Sequence, residues 1–139
     1  MKKILLDTDV ILDFFFDRKP FSNNAAIILS LCEKKVIKAY VTPVIVSNIY
    51  YLLRRTASHE KVIEKLKLLF TITKILNIDQ KAVELALNSN FKDFEDALQN
   101  FSAVNNGEID AIITRNTKDF KNSEIGVLTP DAFVKICKE

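Results

Sequence analysis

The 139-residue chain has no tryptophan, one histidine, two cysteines and two glycines. Each shortage removes a class of function. Gly107 and Gly126 alone cannot build the glycine-rich loops through which a backbone approaches a pyrophosphate, which argues against a dinucleotide fold and a P-loop. Cys32 and Cys137 lie far apart without neighbouring ligands, and His59 stands alone, so neither a zinc site nor a Cys/His catalytic pair is offered. Free thiols of this kind suit a reducing cytoplasm. Long apolar runs are also missing: none approaches the roughly 20 residues needed to span a bilayer, and Asp7 and Asp9 interrupt the opening MKKILLDTDV before a signal-peptide core can form. A soluble protein with no membrane partner is expected. Nor is there an excess of charge, since 20 basic and 18 acidic side chains give a net +2. A nucleic-acid partner would have to be met by a local patch rather than a global field.

What the chain does contain is apolar residues, 48% of the total, enough for one compact domain over residues 1–139 with its own core. Strand-length runs recur at 2–7 (KKILLD), 37–42 (IKAYVT), 72–77 (ITKILN), 110–114 (DAIIT) and 125–129 (IGVLT). Longer segments with helical periodicity separate them. Ala25, Ile28, Leu29 and Cys32 share one helical face, as do Val62, Leu66, Leu69 and Phe70. Ser22 or Asn23 and Ser58 are candidate N-caps, and Pro43 and Pro130 sit where helices would begin. Alternating strands and helices predict an α/β fold in three layers, with a central parallel sheet of four or five strands.

In such a sheet ligands bind beyond the carboxyl ends of the strands, near the point where strand order reverses. The first run ends at Asp7 and continues Thr8-Asp9; the fourth ends Thr114-Arg115-Asn116. An ionised aspartate directly after a buried strand is costly unless something pairs with it. Asp7 or Asp9 caps the VILDFFF segment in one reading, and Asp7 lies at the switch point in the other. The second reading requires another carboxylate. Asp96, in FKDFEDALQN at 91–100, is the best candidate, because Asp93 has the position of the cap and leaves Asp96 free. Glu95, about 100° around the helix from Asp96, is expected to face solvent. A solvated acidic first turn is the alternative for the whole cluster.

The combination of LLDTDVILD, TPVIVSNIYYLL, DFEDALQN, IITRNTKDF and a late LTP resembles the PIN-domain family, small metal-dependent ribonucleases that include VapC-type toxins of toxin–antitoxin pairs. The resemblance covers nearly the whole chain. It implies a PIN-like fold, Mg²⁺ or Mn²⁺ as cofactor, RNA as substrate, and an antitoxin and a homodimer as partners. The family's first acid falls on Asp7 and a later one on Asp96. Its usual glutamate falls on Asn48 and its T-R-D acid on Asn116, both neutral here. Asp7, Asp96 and Asn116 are then the expected metal ligands, with Asp119 replacing the missing acid or serving as a turn residue. Asp9, Asn48, Asp93 and Thr114 are expected to support them, Thr114 by a hydrogen bond to Asp7 or by closing a turn. Arg115 and Lys118 are candidates for substrate phosphate. Tyr50, Tyr51 and Phe14 to Phe16 either stack on bases or form core or a dimer face.

Two other functions fit the pattern less well. A PIN-like module that binds RNA or protein without cleaving it would explain the two asparagines. A phospho-receiver domain would need an aspartate ending the third strand and a lysine ending the fifth; the chain has Leu76-Asn77-Ile78-Asp79 and Leu128-Thr129-Pro130 there.

Overall fold

A computed structural model describes residues 2–138. Five parallel strands, β1 (Lys2–Leu6), β2 (Ile37–Val41), β3 (Thr73–Ile75), β4 (Ala111–Ile113) and β5 (Gly126–Leu128), form one sheet in the order β3-β2-β1-β4-β5. β1 is central because it carries the most completely buried run, Ile4-Leu5-Leu6, and pairs on both sides: Leu5 with Tyr40 of β2 and with Ile112 of β4. The chain builds outward through β2 and β3, then returns to the other side of β1. The switch point therefore lies between β1 and β4.

Among the described residues seven α-helices flank the sheet: α1 (Thr8–Phe15), α2 (Ser22–Glu33), α3 (Pro43–Leu53), α4 (His59–Ile72), α5 (Gln80–Leu87), α6 (Phe94–Asn106) and α7 (Pro130–Lys138), the last following β5, while a short 3-10 helix (Thr117–Phe120) links β4 to β5. Right-handed crossovers put α1 to α4 on one face, and the reversal of direction after β3 puts α5 and α6 on the other. Contacts agree, with α1 to α4 and α7 packing on one another and α5 pairing with α6. This is the expected three-layer parallel α/β architecture.

Local chemistry explains the boundaries. Thr42 Oγ1 accepts the Ile45 amide at 3.1 Å and Pro43 supplies a pre-set first residue, so α3 starts immediately after β2. Ser58 caps α4 by accepting from Lys61 N at 3.3 Å. Gly107 ends α6 at φ +77°, a left-handed conformation that side chains with a Cβ resist.

Three details differ from the sequence reading. Ser22 and Asn23 do not cap α2; the Ser22 amide already bonds Arg18 O at 2.7 Å, which draws Ser22 into the helix and leaves Phe21 at the cap without a side-chain bond. The third strand begins at Thr73 because Ile72 still belongs to α4, where Thr73 Oγ1 donates to Leu69 O at 2.9 Å. Phe70 is 59% exposed, since Val62, Leu66 and Leu69 already fill the inward stripe of α4.

Candidate active site

Asp7 leaves the end of β1 with its backbone bonded across the switch point, its amide donating to Ile113 O at 3.0 Å. Its two carboxylate oxygens have separate partners. Oδ1 accepts from Thr8 N at 2.8 Å, capping α1, and Oδ2 accepts from the buried Thr114 Oγ1 at 2.8 Å, tying it to the end of β4. Both expectations for Asp7, cap and switch-point carboxylate, therefore describe the same side chain. Burial raises its pKa, opposed by the bonds from Thr114, Thr8 and Gln99.

Opposite it, Asp93 caps α6 as expected, its Oδ1 accepting from Asp96 N at 2.9 Å. That bond fixes Asp96 in the first turn. Asp7, Asp9, Asp93, Glu95, Asp96 and Asp119 line one cavity of about 620 Å³, and Asn48, Gln99, Asn116, Arg18, Arg55 and Tyr51 are also in its wall. Mutual repulsion follows from this convergence. Burial, and then Asp7, Asp93, Asp119 and Glu95, push Asp96 up to about 7. Burial and Asp7 push Asp9 up to about 6 against the pull of Arg115, while burial, Asp93 and Asp7 raise Glu95.

Both asparagines at the usual acidic positions turn their amide groups onto carboxylates. Asn116 Nδ2 donates to Asp9 Oδ2 at 3.2 Å, beside the Arg115 amide at 3.3 Å. Asn48 Nδ2 donates to Glu95 Oε1. Glu95 thus does not face solvent; being longer than aspartate, it reaches across from α6 to α3 and lines the cavity. Gln99 escaped the sequence reading altogether. It is 1% exposed, lies on the cavity wall, and its Oε1 has no hydrogen-bond partner among the described residues. The signal was present, since position 99 is one turn beyond both Glu95 and Asp96.

Arg115 takes a different place from the one expected. Its guanidinium folds inward onto Asp13, which is 1% exposed: Nε lies 2.8 Å from Oδ2, and Nη2 donates to Oδ1 at 3.1 Å. The Phe21 ring covers it 4.0 Å away. With its charge committed to Asp13, the arginine anchors the loop after β4 rather than presenting a free fork to phosphate. Lys118 remains exposed, lining a neighbouring 480 Å³ cavity with Lys92, Lys121, Asp93 and Asp119. Tyr51 is 68% exposed at the acidic cavity, whereas Tyr50 bonds His59 Nδ1 at 2.8 Å, and Phe15 and Phe16 pack on the core. Asp79 caps α5 through Ala82 N at 2.9 Å. Asp110 accepts from Lys3 N at 2.8 Å at the opposite end of the sheet.

The cavity offers carboxylate and amide oxygens with no thiolate or imidazole, a donor set suited to a hard cation. Among the described residues no three acidic, histidine or cysteine side chains already close on one point.

A doubly wound sheet with carboxylates gathered around one buried aspartate at its switch point defines a small class of α/β proteins. Within it, a family model described as PIN domain matches residues 3–118, and the chain belongs to the PIN-domain family. No curated protein sequence matches it significantly. Among solved structures it is similar to FitAB bound to an IR36 DNA fragment (19% identity, TM-score 0.68, covering 91% of this chain and 94% of that one). A toxin–antitoxin complex from Klebsiella pneumoniae aligns at 25% identity and TM-score 0.68, over 91% and 97% of the two chains. Mycobacterium tuberculosis VapC20, described as a sarcin–ricin loop cleaving toxin, aligns at 17% identity and TM-score 0.60, over 78% and 86%.

Proposed function

We propose that the protein is a divalent-metal-dependent endoribonuclease and the toxin of a toxin–antitoxin pair, acting in the cytoplasm. The observation that carries this reading is the convergence of Asp7, Asp9, Glu95, Asp96 and Asp119 on one open cavity at the sheet's switch point. Self-repelling acids are costly to a fold and call for a counter-charge. Asp7 and Asp96 are the principal ligands in this reading, with Asn116 and Asp119 beside them. When bound, Mg²⁺ or Mn²⁺ supplies Lewis-acid polarisation of a phosphodiester and lowers the pKa of water.

The protein's own groups set up that chemistry. Thr114 and the Thr8 amide hold the Asp7 carboxylate in one orientation, and the Asp93 cap fixes the backbone that carries Asp96. Asn116 and the Arg115 amide hold Asp9. Lys118, with Lys92 and Lys121 in the adjoining cavity, offers phosphate contacts that add affinity without reading sequence. Tyr51, exposed at the rim, offers a face on which an unpaired base can stack.

Cleavage of RNA by the purified chain with Mg²⁺ or Mn²⁺, abolished by both Asp7→Asn and Asp96→Asn and by chelation, is the expected result. The second reading, binding without cleavage, is favoured by the two neutral asparagines and the absence of a closed acid cage among the described residues. RNA bound but not cut with either metal, and bound equally well by Asp7→Asn, would establish that reading instead. An antitoxin partner is proposed from the toxin–antitoxin complex among the structural neighbours, and a homodimer from the family resemblance. Co-expression with the product of an adjacent small gene, followed by mass determination of the complex, tests both.

A further inference from the structure

Position 48 on α3 is neutral, yet Asn48 aims its amide at Glu95 on α6, and Glu95 lines the same cavity as Asp7 and Asp96. Helical geometry joins the three α6 residues into one donor face: Gln99 lies about 40° from Glu95 and about 60° from Asp96, one turn further on. Gln99 lines this cavity and is 1% exposed; its amide bonds Asp7, and its Oε1 is buried with no hydrogen-bond partner among the described residues. A buried amide oxygen left without a donor is destabilising unless something outside the described residues meets it. A hard cation is such a partner. Asn48, a donor through Nδ2, cannot bring the charge of a carboxylate, but it can hold one that arrives from the facing helix.

We propose that Glu95, positioned by Asn48, supplies a carboxylate to a divalent-cation site with Asp7 and Asp96, and that Gln99 adds its amide oxygen, so that charge absent from α3 is provided by α6. This rests on the reading of the cavity as a Mg²⁺ or Mn²⁺ site. Glu95 is then a ligand and Asn48 a positioning residue that acts through it. The arrangement supplies one negative charge to the cation from across the gap between two helices, in place of one that Asn48 cannot bring. A link that merely tied α3 to α6 would require neither the charge of Glu95 nor the unpartnered oxygen of Gln99.

The test is Mn²⁺ titration of the full chain at pH 8, following free Mn²⁺ by electron paramagnetic resonance, with the fold of each variant checked by circular dichroism. Asp7→Asn is expected to abolish binding, and Glu95→Gln to raise Kd by about tenfold or more, in the range that supporting groups of metal sites show. The exchanged pair Asn48→Glu/Glu95→Gln restores the charge from the other helix and is expected to return Kd to within about threefold of the parent. Gln99→Leu, which keeps the volume but removes both the oxygen and the amide that bonds Asp7, is expected to weaken Mn²⁺ binding, whereas Gln99→Glu, which keeps an oxygen donor at that place, is expected to retain it. Unchanged affinity in Glu95→Gln, with Asp7→Asn still abolishing binding, would refute the role of Glu95 and leave the cation site standing. An exchanged pair no better than Glu95→Gln alone would overturn the compensation between helices. If the parent chain binds no Mn²⁺, both the site and this assignment fall.

Discussion

The pair of Asp13 and Arg115 is the most exacting test of how the loop carrying Asn116 is held. Asp13 is 1% exposed, and Arg115→Met would remove contacts at 2.8 and 3.1 Å while keeping most of the side-chain volume. Arg18, 3.6 Å from Oδ1 and 43% exposed, remains as a weaker counter-charge. Breaking a buried pair from one side costs about 3–5 kcal/mol, so the residual pull of Arg18 places the expected loss near the low end, about 3 kcal/mol. Loss of the cation over Phe21 adds about 0.5–1 kcal/mol. Equilibrium urea unfolding should show a lower midpoint with an unchanged slope. The double variant Asp13→Leu/Arg115→Met should recover most of the loss, because it removes the stranded charge along with its partner. A loss below about 1 kcal/mol in Arg115→Met, or a double variant less stable than the single, would refute the claim that this buried charge requires its arginine.

The other expectations concern the acids. Asp96 and Asp9 have folded pKa values raised to about 7 and about 6 from 3.8, so between those limits the folded state binds more protons than the unfolded one. Their contribution to stability is complete below about 3.8 and is lost as pH rises through 6 and 7. Metal-free thermal melts should therefore show the parent chain losing more stability between pH 5 and pH 8 than Asp96→Asn does; equal losses would contradict the repulsion. Thr114→Val removes a donor that lowers the pKa of buried Asp7 and should cost about 1.5–3 kcal/mol, and the cost should grow as pH rises and the carboxylate ionises. Adding Mn²⁺ at one hundred times its Kd should stabilise the parent by about 2.7 kcal/mol and leave Asp7→Asn unmoved. Asp93→Ala should cost about 1 kcal/mol by removing the α6 cap, whereas Asp93→Ser should retain most of it, as urea unfolding would show.

The sheet was legible because its runs are short, apolar and bounded by turn residues, and because a sequential reading with one reversal leaves few topologies. Asp7, Thr114, Asp93 and Asp96 were legible for a related reason: each sits at the end of an element, where backbone geometry limits what the side chain can meet. Glu95 and Arg115 were not. Both have long side chains whose direction is set by a neighbour distant in sequence, Asn48 in one case and Asp13 in the other. Propensity and spacing carry no information about such partners. Gln99 was hidden differently, since a glutamine inside a helix reads as solvent-facing until the cavity beside it is known. Ser22 shows the same limit at small scale, where a preferred capping residue was overruled by the bond its own amide makes to Arg18.

One further consequence lies in the packing of α6. Its later part enters the principal core through Ala103, whereas Ala97 and Leu98, near its beginning, join Ala86 of α5 in a small separate cluster. The two walls of the cavity are therefore anchored to bodies of unequal size. Asp7 grows from the most deeply buried strand, while Glu95 and Asp96 ride on a turn backed by only a few apolar side chains. Small cooperative units open more readily than large ones, so amide protons in the first turn of α6 should exchange with deuterium sooner than those of β1. A site split in this way can adjust its spacing by breathing on one side alone, keeping one carboxylate as a fixed post and letting the others approach it.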